Sequence, residues 1–122
     1  MEKILNLTQH LATPEQVAQG VVDLSELDRK ALVSAITFEE LPDIAIIENR
    51  AKKVCDIAVK YGIKNVMIGG APFFMSTLEK ALKSDNMVPV YAFSKRIVVE
   101  KQQSDGTVIK TAIFKHEGFI KV

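Results

Sequence analysis

The sequence predicts an α/β fold: a single domain over residues 1–122, with a mainly parallel sheet flanked by helices and a C-terminal β-hairpin. Three observations carry this expectation. Residues 66–96 read as a buried strand, a Gly-Gly turn, a helix and a second buried strand, which is a βαβ unit. The apolar runs at 66–68 and 88–93 are continuous rather than alternating, as in parallel strands covered on both faces. Asp105-Gly106, set between residues 97–103 and 107–114, is the strongest short-range hairpin signal a sequence offers.

The remaining elements follow in order. Ile4 and Leu5 begin a first strand that alternates apolar and polar residues up to His10. Thr13-Pro14-Glu15-Gln16 places a hydroxyl, a proline and a glutamine at N-cap, N1 and N3, the capping-box pattern of a helix start. Gly20 closes that short helix. Ser25 caps a second helix running to about Ile36, with Leu24, Leu27, Ala31, Leu32 and Ala35 on its inner side. Residues 37–42 form a turn or a short helical loop. Asp43 caps the longest helix, whose apolar positions Ile44, Ile47, Ala51, Val54, Ala58 and Tyr61 step by three or four before Gly62. In the βαβ unit Pro72 suits a first helical position, and Phe74, Leu78, Ala81 and Leu82 make one stripe. Residues 119–121 form a last short strand. Strand, helices, strand, helix, strand and hairpin together describe a compact Rossmann-like sheet extended by antiparallel strands.

Composition narrows the function. A formal charge of +1 gives no general grip on long nucleic acid, so any anion site is local. The single cysteine, Cys55, excludes an internal disulfide and fits a reducing compartment. The N-terminus lacks a signal-peptide pattern, and no run of about eighteen apolar residues exists to span a membrane. The expectation is a cytoplasmic protein without a membrane partner. Cys55 and His116 assemble no metal-ligand spacing, and no serine occupies a nucleophile elbow, so neither a metal nor a further cofactor is expected.

Ligands of open α/β sheets settle at the carboxyl ends of the strands, and three segments are expected there. Asn6, Thr8 and His10 share one face if the first strand persists to His10; Asn6 and Thr8 offer hydrogen bonds and His10 a phosphate contact or proton transfer. The alternative is that Thr8 and His10 merely cap the next loop and helix. Gly69-Gly70-Ala71 lets a phosphate or ribose approach the free amides of the following helix, or simply permits tight strand-to-helix packing. It has neither the full GxGxxG spacing nor a GK[ST]. Ser94, Lys95 and Arg96 put a hydroxyl and two cations at a strand end, where Arg96 suits bidentate phosphate binding and Lys95 acts as a point charge. Phe73 and Phe74 diverge on the helix, so one of them faces the cleft to stack on a base or packs an interface.

The opening NLTQHLATPEQ, followed by MIGGAPFFMSTLEKAL, VPVYAFS and a terminal hairpin, resembles small proteins encoded beside type III CRISPR systems. That resemblance implies a Rossmann-like fold related to CARF sensor domains, a homodimer, and binding of cyclic oligoadenylate messengers. Several such proteins cleave the messenger and are called ring nucleases. By the same likeness Thr8, Gln9 and His10 form the first-strand site and Gly69, Gly70 and Ala71 the second, while Ser94, Lys95 and Arg96 match by position only. No residue is diagnostic of ring cleavage. In the catalytic reading His10 is general acid or base, Lys95 or Arg96 offsets developing charge, and no metal is needed. The rival readings are a non-catalytic sponge or sensor for a nucleotide or phosphorylated metabolite, and an interaction protein whose hairpin pairs with a partner's sheet edge.

Overall fold

The computed structural model describes residues 2–122. Its elements run β1 (Ile4–Asn6), α1 (Pro14–Ala18), β2 (Val21–Asp23), α2 (Glu26–Ile36), α3 (Ile44–Val59), β3 (Asn65–Met67), α4 (Pro72–Ser84), β4 (Val88–Gln102) and β5 (Val108–Lys121). The strands form one sheet in the order β2-β1-β3-β4-β5. The ladders joining β2, β1, β3 and β4 are parallel, and the β4–β5 ladder is antiparallel. The sheet is therefore mixed rather than mainly parallel, because its longest ladder is the antiparallel one.

Side chains next to the helix starts set their ends. Thr13 Oγ1 accepts from the Gln16 amide at 3.2 Å, and Gln16 Oε1 accepts from the Thr13 amide at 3.0 Å, closing the capping box ahead of Pro14. Ser25 and Asp43 cap α2 and α3 by accepting from the Asp28 and Ile46 amides. Gly62 ends α3 at φ +64°, where glycine meets no Cβ penalty. At the other end of α2, Arg50 Nη1 donates to the carbonyls of Ser34, Ala35 and Thr37 at 3.0, 3.2 and 2.7 Å. Its guanidinium also lies 4.9 Å from the Phe38 ring centroid. A cation there satisfies orphan carbonyls and meets the negative end of the helix dipole.

Alternation along the short strands sorts the core into two layers. Leu5 and Val66 point into the larger one with Leu32, Val54, Phe74, Leu78 and Leu82 of α2, α3 and α4. Ile4, Met67, Val21 and Val90 form the smaller one, covered by Ala12 and Phe119. Cys55 is buried in the larger layer, and desolvation, reinforced by Asp85 and Asp56, pushes its thiol up to about 11. No helix among the described residues is long and apolar enough to cross a membrane.

Four expectations need correction. The first strand ends at Asn6 rather than persisting to His10, so Asn6, Thr8 and His10 do not share a strand face. Residues 21–23 form an additional strand, too short to show periodicity, that pairs with β1. Residues 88–102 are one strand, which β5 pairs from Val90 to Gln102 with only a register shift between Phe93 and Ser94, and residues 119–121 belong to β5. Leu27, Ala31 and Ile44, expected inside, are exposed; Leu27 and Ile44 lie in the first turns of their helices.

A polar cluster locks the start of α2 to the end of α3. Lys60 Nζ donates to Asp28 Oδ1 and Tyr61 Oη to Asp28 Oδ2, both at 2.7 Å, while the Ser25 amide donates to Tyr61 Oη at 3.0 Å. The Lys60 hydrogen bond, and then that of Tyr61, holds the Asp28 carboxyl below its ordinary 3.8. A depressed carboxyl leaves the unfolded chain with more bound protons in acid, so stability rises with pH through that window. The contribution should be complete above the unfolded value and vanish as pH falls through the lower folded value. Urea denaturation from acid to neutral pH should show this slope in the native chain and a shallower one in Asp28→Asn; equal slopes would exclude the linkage.

Candidate functional site

The carboxyl ends of β1 and β3 open into a cleft of about 690 Å³. Its walls come from three places in the chain. The loop after β1 contributes Thr8, Gln9, His10 and Leu11, with Thr13 and Gln16 at the start of α1. The turn after β3 contributes Gly69, Gly70 and Ala71, and the floor is Met67, Ile68 and Ile36, with Thr37. Tyr91 and Ala92 of β4 close the remaining side. No Asp, Glu, Lys or Arg is among these lining residues; the polar groups are hydroxyls, amides and one imidazole.

A buried amide shapes the first wall. Asn6 is 4% exposed, and both ends of its carboxamide are engaged. Nδ2 donates to the His10 carbonyl at 2.7 Å and to Asp23 Oδ1 at 2.8 Å. Oδ1 accepts from the Thr8 amide at 2.9 Å and the Thr8 hydroxyl at 2.7 Å. Asp23 Oδ1 also accepts from the Ala12 amide at 3.1 Å. Asn6 is thus an internal brace that bends the chain after β1, and its hydrogen-bonding capacity is used within the fold. The bend is what sends Gln9 and His10, both exposed, to the mouth of the cleft.

The second wall is backbone. Gly70 sits at φ +142°, a conformation that side chains with a Cβ rarely adopt. A Cβ at Gly69 would lie 3.7 Å from Thr8 Cγ2, an ordinary contact, so crowding does not dictate glycine there. Ala71 caps α4 without any side-chain hydrogen bond, and Pro72 occupies its first turn. Pro72 has no N–H and the Phe74 amide donates to the Ala71 carbonyl at 3.0 Å, so the donors on this wall are the main-chain amides of Gly69, Gly70 and Ala71, ahead of the positive end of the α4 dipole.

Tyr91 was read only as part of a buried strand, yet it lines the cleft. Its hydroxyl donates to Glu79 Oε2 at 2.7 Å. Burial first, and then the Glu79 carboxylate, raise the phenol well above its ordinary value, so it holds its proton at neutral pH. The nearest cation to the Gln9–His10 bend also escaped sequence reasoning. Arg29 Nη2 donates to the Gln9 carbonyl at 3.1 Å, while Arg29 Nε is buried without a partner. Arg29, Lys30 and Val33 line a second hollow of about 370 Å³ on the other side of Gln9 and His10. No local spacing in the sequence marks these two charges out.

The structure brings together Thr8, Gln9, His10, Gly69, Gly70 and Ala71, and leaves other candidates outside the cleft. Ser94, Lys95 and Arg96 lie within the continuous β4, opposite His116, Lys115 and Phe114 of β5, and none of them lines the cleft. Phe74 is buried in the core, and half-exposed Phe73 packs edge-on against Phe38 at 5.0 Å between centroids, away from the cleft wall. Among the described residues no three of His, Cys, Asp and Glu group to hold a metal ion.

Truncating the brace gives a direct check. Asn6→Ala removes four part-buried hydrogen bonds and leaves their partners unpaired, which should cost about 2–3 kcal/mol. Denaturant unfolding measures it, and a loss under about 0.5 kcal/mol would remove Asn6 from this role.

Comparison with known proteins gives one positive finding. No curated protein and no solved structure matches the chain. A family model described as "Uncharacterized protein MJ1673 family" matches residues 2–120. The chain belongs to the MJ1673 family.

Proposed function

We propose that the cleft at the ends of β1 and β3 binds a small nucleotide, and that its ligand is a cyclic oligoadenylate. The observation that carries this reading is the convergence of Thr8, Gln9 and His10 with the Gly69-Gly70-Ala71 turn in one cleft of about 690 Å³. That volume lies in the range of small-ligand sites, with an apolar floor and a few convergent polar groups. Main-chain donors at the Gly70 turn suit a phosphate, and Thr8, Thr13, Gln16 and Thr37 offer hydrogen bonds to ribose and base edges. The resemblance of NLTQHLATPEQ and MIGGAPFFMSTLEKAL to CRISPR-associated cyclic-oligoadenylate binders supplies the specific ligand, a Rossmann-like and CARF-like ancestry, and a cytoplasmic setting. A ring of repeated nucleotides has rotational symmetry, so two clefts related by a twofold axis in a homodimer would hold equivalent halves.

Turnover in this reading needs only the ring's own nucleophile. A ribose 2′-hydroxyl attacks the adjacent phosphorus and the P–O5′ bond breaks, leaving a 2′,3′-cyclic phosphate and a 5′-hydroxyl. The proton leaves O2′ and one is delivered to O5′, with His10 at the cleft mouth as the exchanging group. In-line positioning supplies most of the acceleration. Of the cations expected to offset the charge, Lys95 and Arg96 do not line their own chain's cleft, and Arg29 beside Gln9 is better placed. The neutral lining favours a second reading, in which the ring is held without being cleaved.

Incubation with cyclic tri-, tetra- and hexa-adenylate in EDTA, with calorimetry and product separation, decides between them. The enzyme reading expects linear products and a loss of about 100-fold or more in rate for His10→Ala with binding retained. Rings recovered intact from a tight complex would establish the second reading. Failure of every ring to bind would dismiss both.

A further inference from the structure

β4 outruns the sheet it belongs to. It pairs with β3 only at residues 88–90, whereas its ladder with β5 continues to Gln102. The outer part is a two-stranded ribbon, and such ribbons are marginally stable in water unless something covers them. Alternation puts Lys95, Ile97, Val99 and Lys101 on one face, and the register sets Lys115, Ile113, Thr111 and Ile109 opposite them. This face holds three ammonium groups, no carboxylate and four large aliphatics; Val99, Ile109 and Ile113 are 43%, 50% and 46% exposed. Lys95 lies directly across from Lys115, an unfavourable pairing that an anionic surface would relieve.

A surface of the matching kind lies on the same chain. The turn after α2 and the first turns of α3 carry Glu39, Glu40, Asp43 and Glu48, with no Lys or Arg between residues 38 and 49. Leu41 and Ile44 among them are 97% and 73% exposed. Arg50, the next cation, is occupied by the α2 carbonyls. The division of charge extends to the whole molecule: residues 91–121 hold six Lys and Arg against three Asp and Glu, and the rest hold ten against twelve.

We infer that a second copy of this chain covers the ribbon, each arm lying on the other chain's acidic 39–48 surface in a reciprocal twofold exchange. Basic-apolar meets acidic-apolar twice, once for each arm. Stacking arm on arm through this face would instead set three ammonium groups against three. The exchange gives the twofold pairing discussed above a physical surface, and it holds whatever the cleft binds.

Sedimentation velocity of the full chain at micromolar concentration, at low and high salt, tests it without any nucleotide. The native chain should be a dimer that weakens with salt. The arm reversal K95E/K101E/K115E and the body reversal E39K/E40K/D43K should each raise the dimer dissociation constant by about tenfold or more, and an equimolar mixture should restore a heterodimer. Circular dichroism melts check that each variant is folded. If the triple reversal of the arm does not fold, Val99→Glu takes its place, with the same expected weakening. A native monomer would overturn the inference, as would a monomer that associates only with RNA or anionic vesicles. Insensitivity of the dimer to the body reversal would also overturn it.

Discussion

The carboxamide of Asn6 stands between the core and the cleft, and the arrangement around it depends on its being fully engaged. β1 is three residues long, so its last side chain is already at the sheet's edge. A buried amide there has to find four partners, and it finds them in Thr8, His10 and Asp23. Satisfying that demand fixes the direction of the chain for the next five residues. The loop is therefore held by the fold before any ligand arrives, and Gln9 and His10 inherit their position from a residue that itself touches nothing outside the protein.

The two walls of the cleft reach their geometry by different means. One is a side-chain network and the other is a main-chain conformation at Gly70 that few residues tolerate. Neither puts a charged side chain in the lining; the Asp23 carboxylate and Arg29 stand behind the first wall, and aligned backbone dipoles add to their field. Tyr91 adds a donor already committed to Glu79. The lining of such a cleft offers hydrogen-bonding groups and a single imidazole.

Much of this was legible in residue order wherever the information is local. Thr13 with Gln16, Ser25, Asp43, Gly62 and Asp105-Gly106 each declare an end or a turn through chemistry confined to three or four positions, and each is found in place. The stripe Phe74, Leu78 and Leu82 announces its burial through period alone. What escaped depends on residues far apart. Val21–Asp23 is too short to show a pattern and becomes a strand because β1 lies beside it. The strand through Ser94, Lys95 and Arg96 does not stop at the charges because β5, some twenty residues on, continues to pair with it. Asn6 reads as a ligand contact until Asp23 is known to face it. The parallel strands bring two of the three candidate segments to one cleft, and the hairpin carries the third away from it.

The isolation of Cys55 has a practical side. Its thiol is enclosed between α3 and its neighbours and resists deprotonation, so at neutral pH it offers little thiolate to an alkylating reagent. It is the chain's single cysteine. A fluorophore or spin label placed through a new cysteine at the hairpin tip, at Gln103 for example, would report from that position with almost no background, so the native sequence is already suited to distance measurements across the molecule.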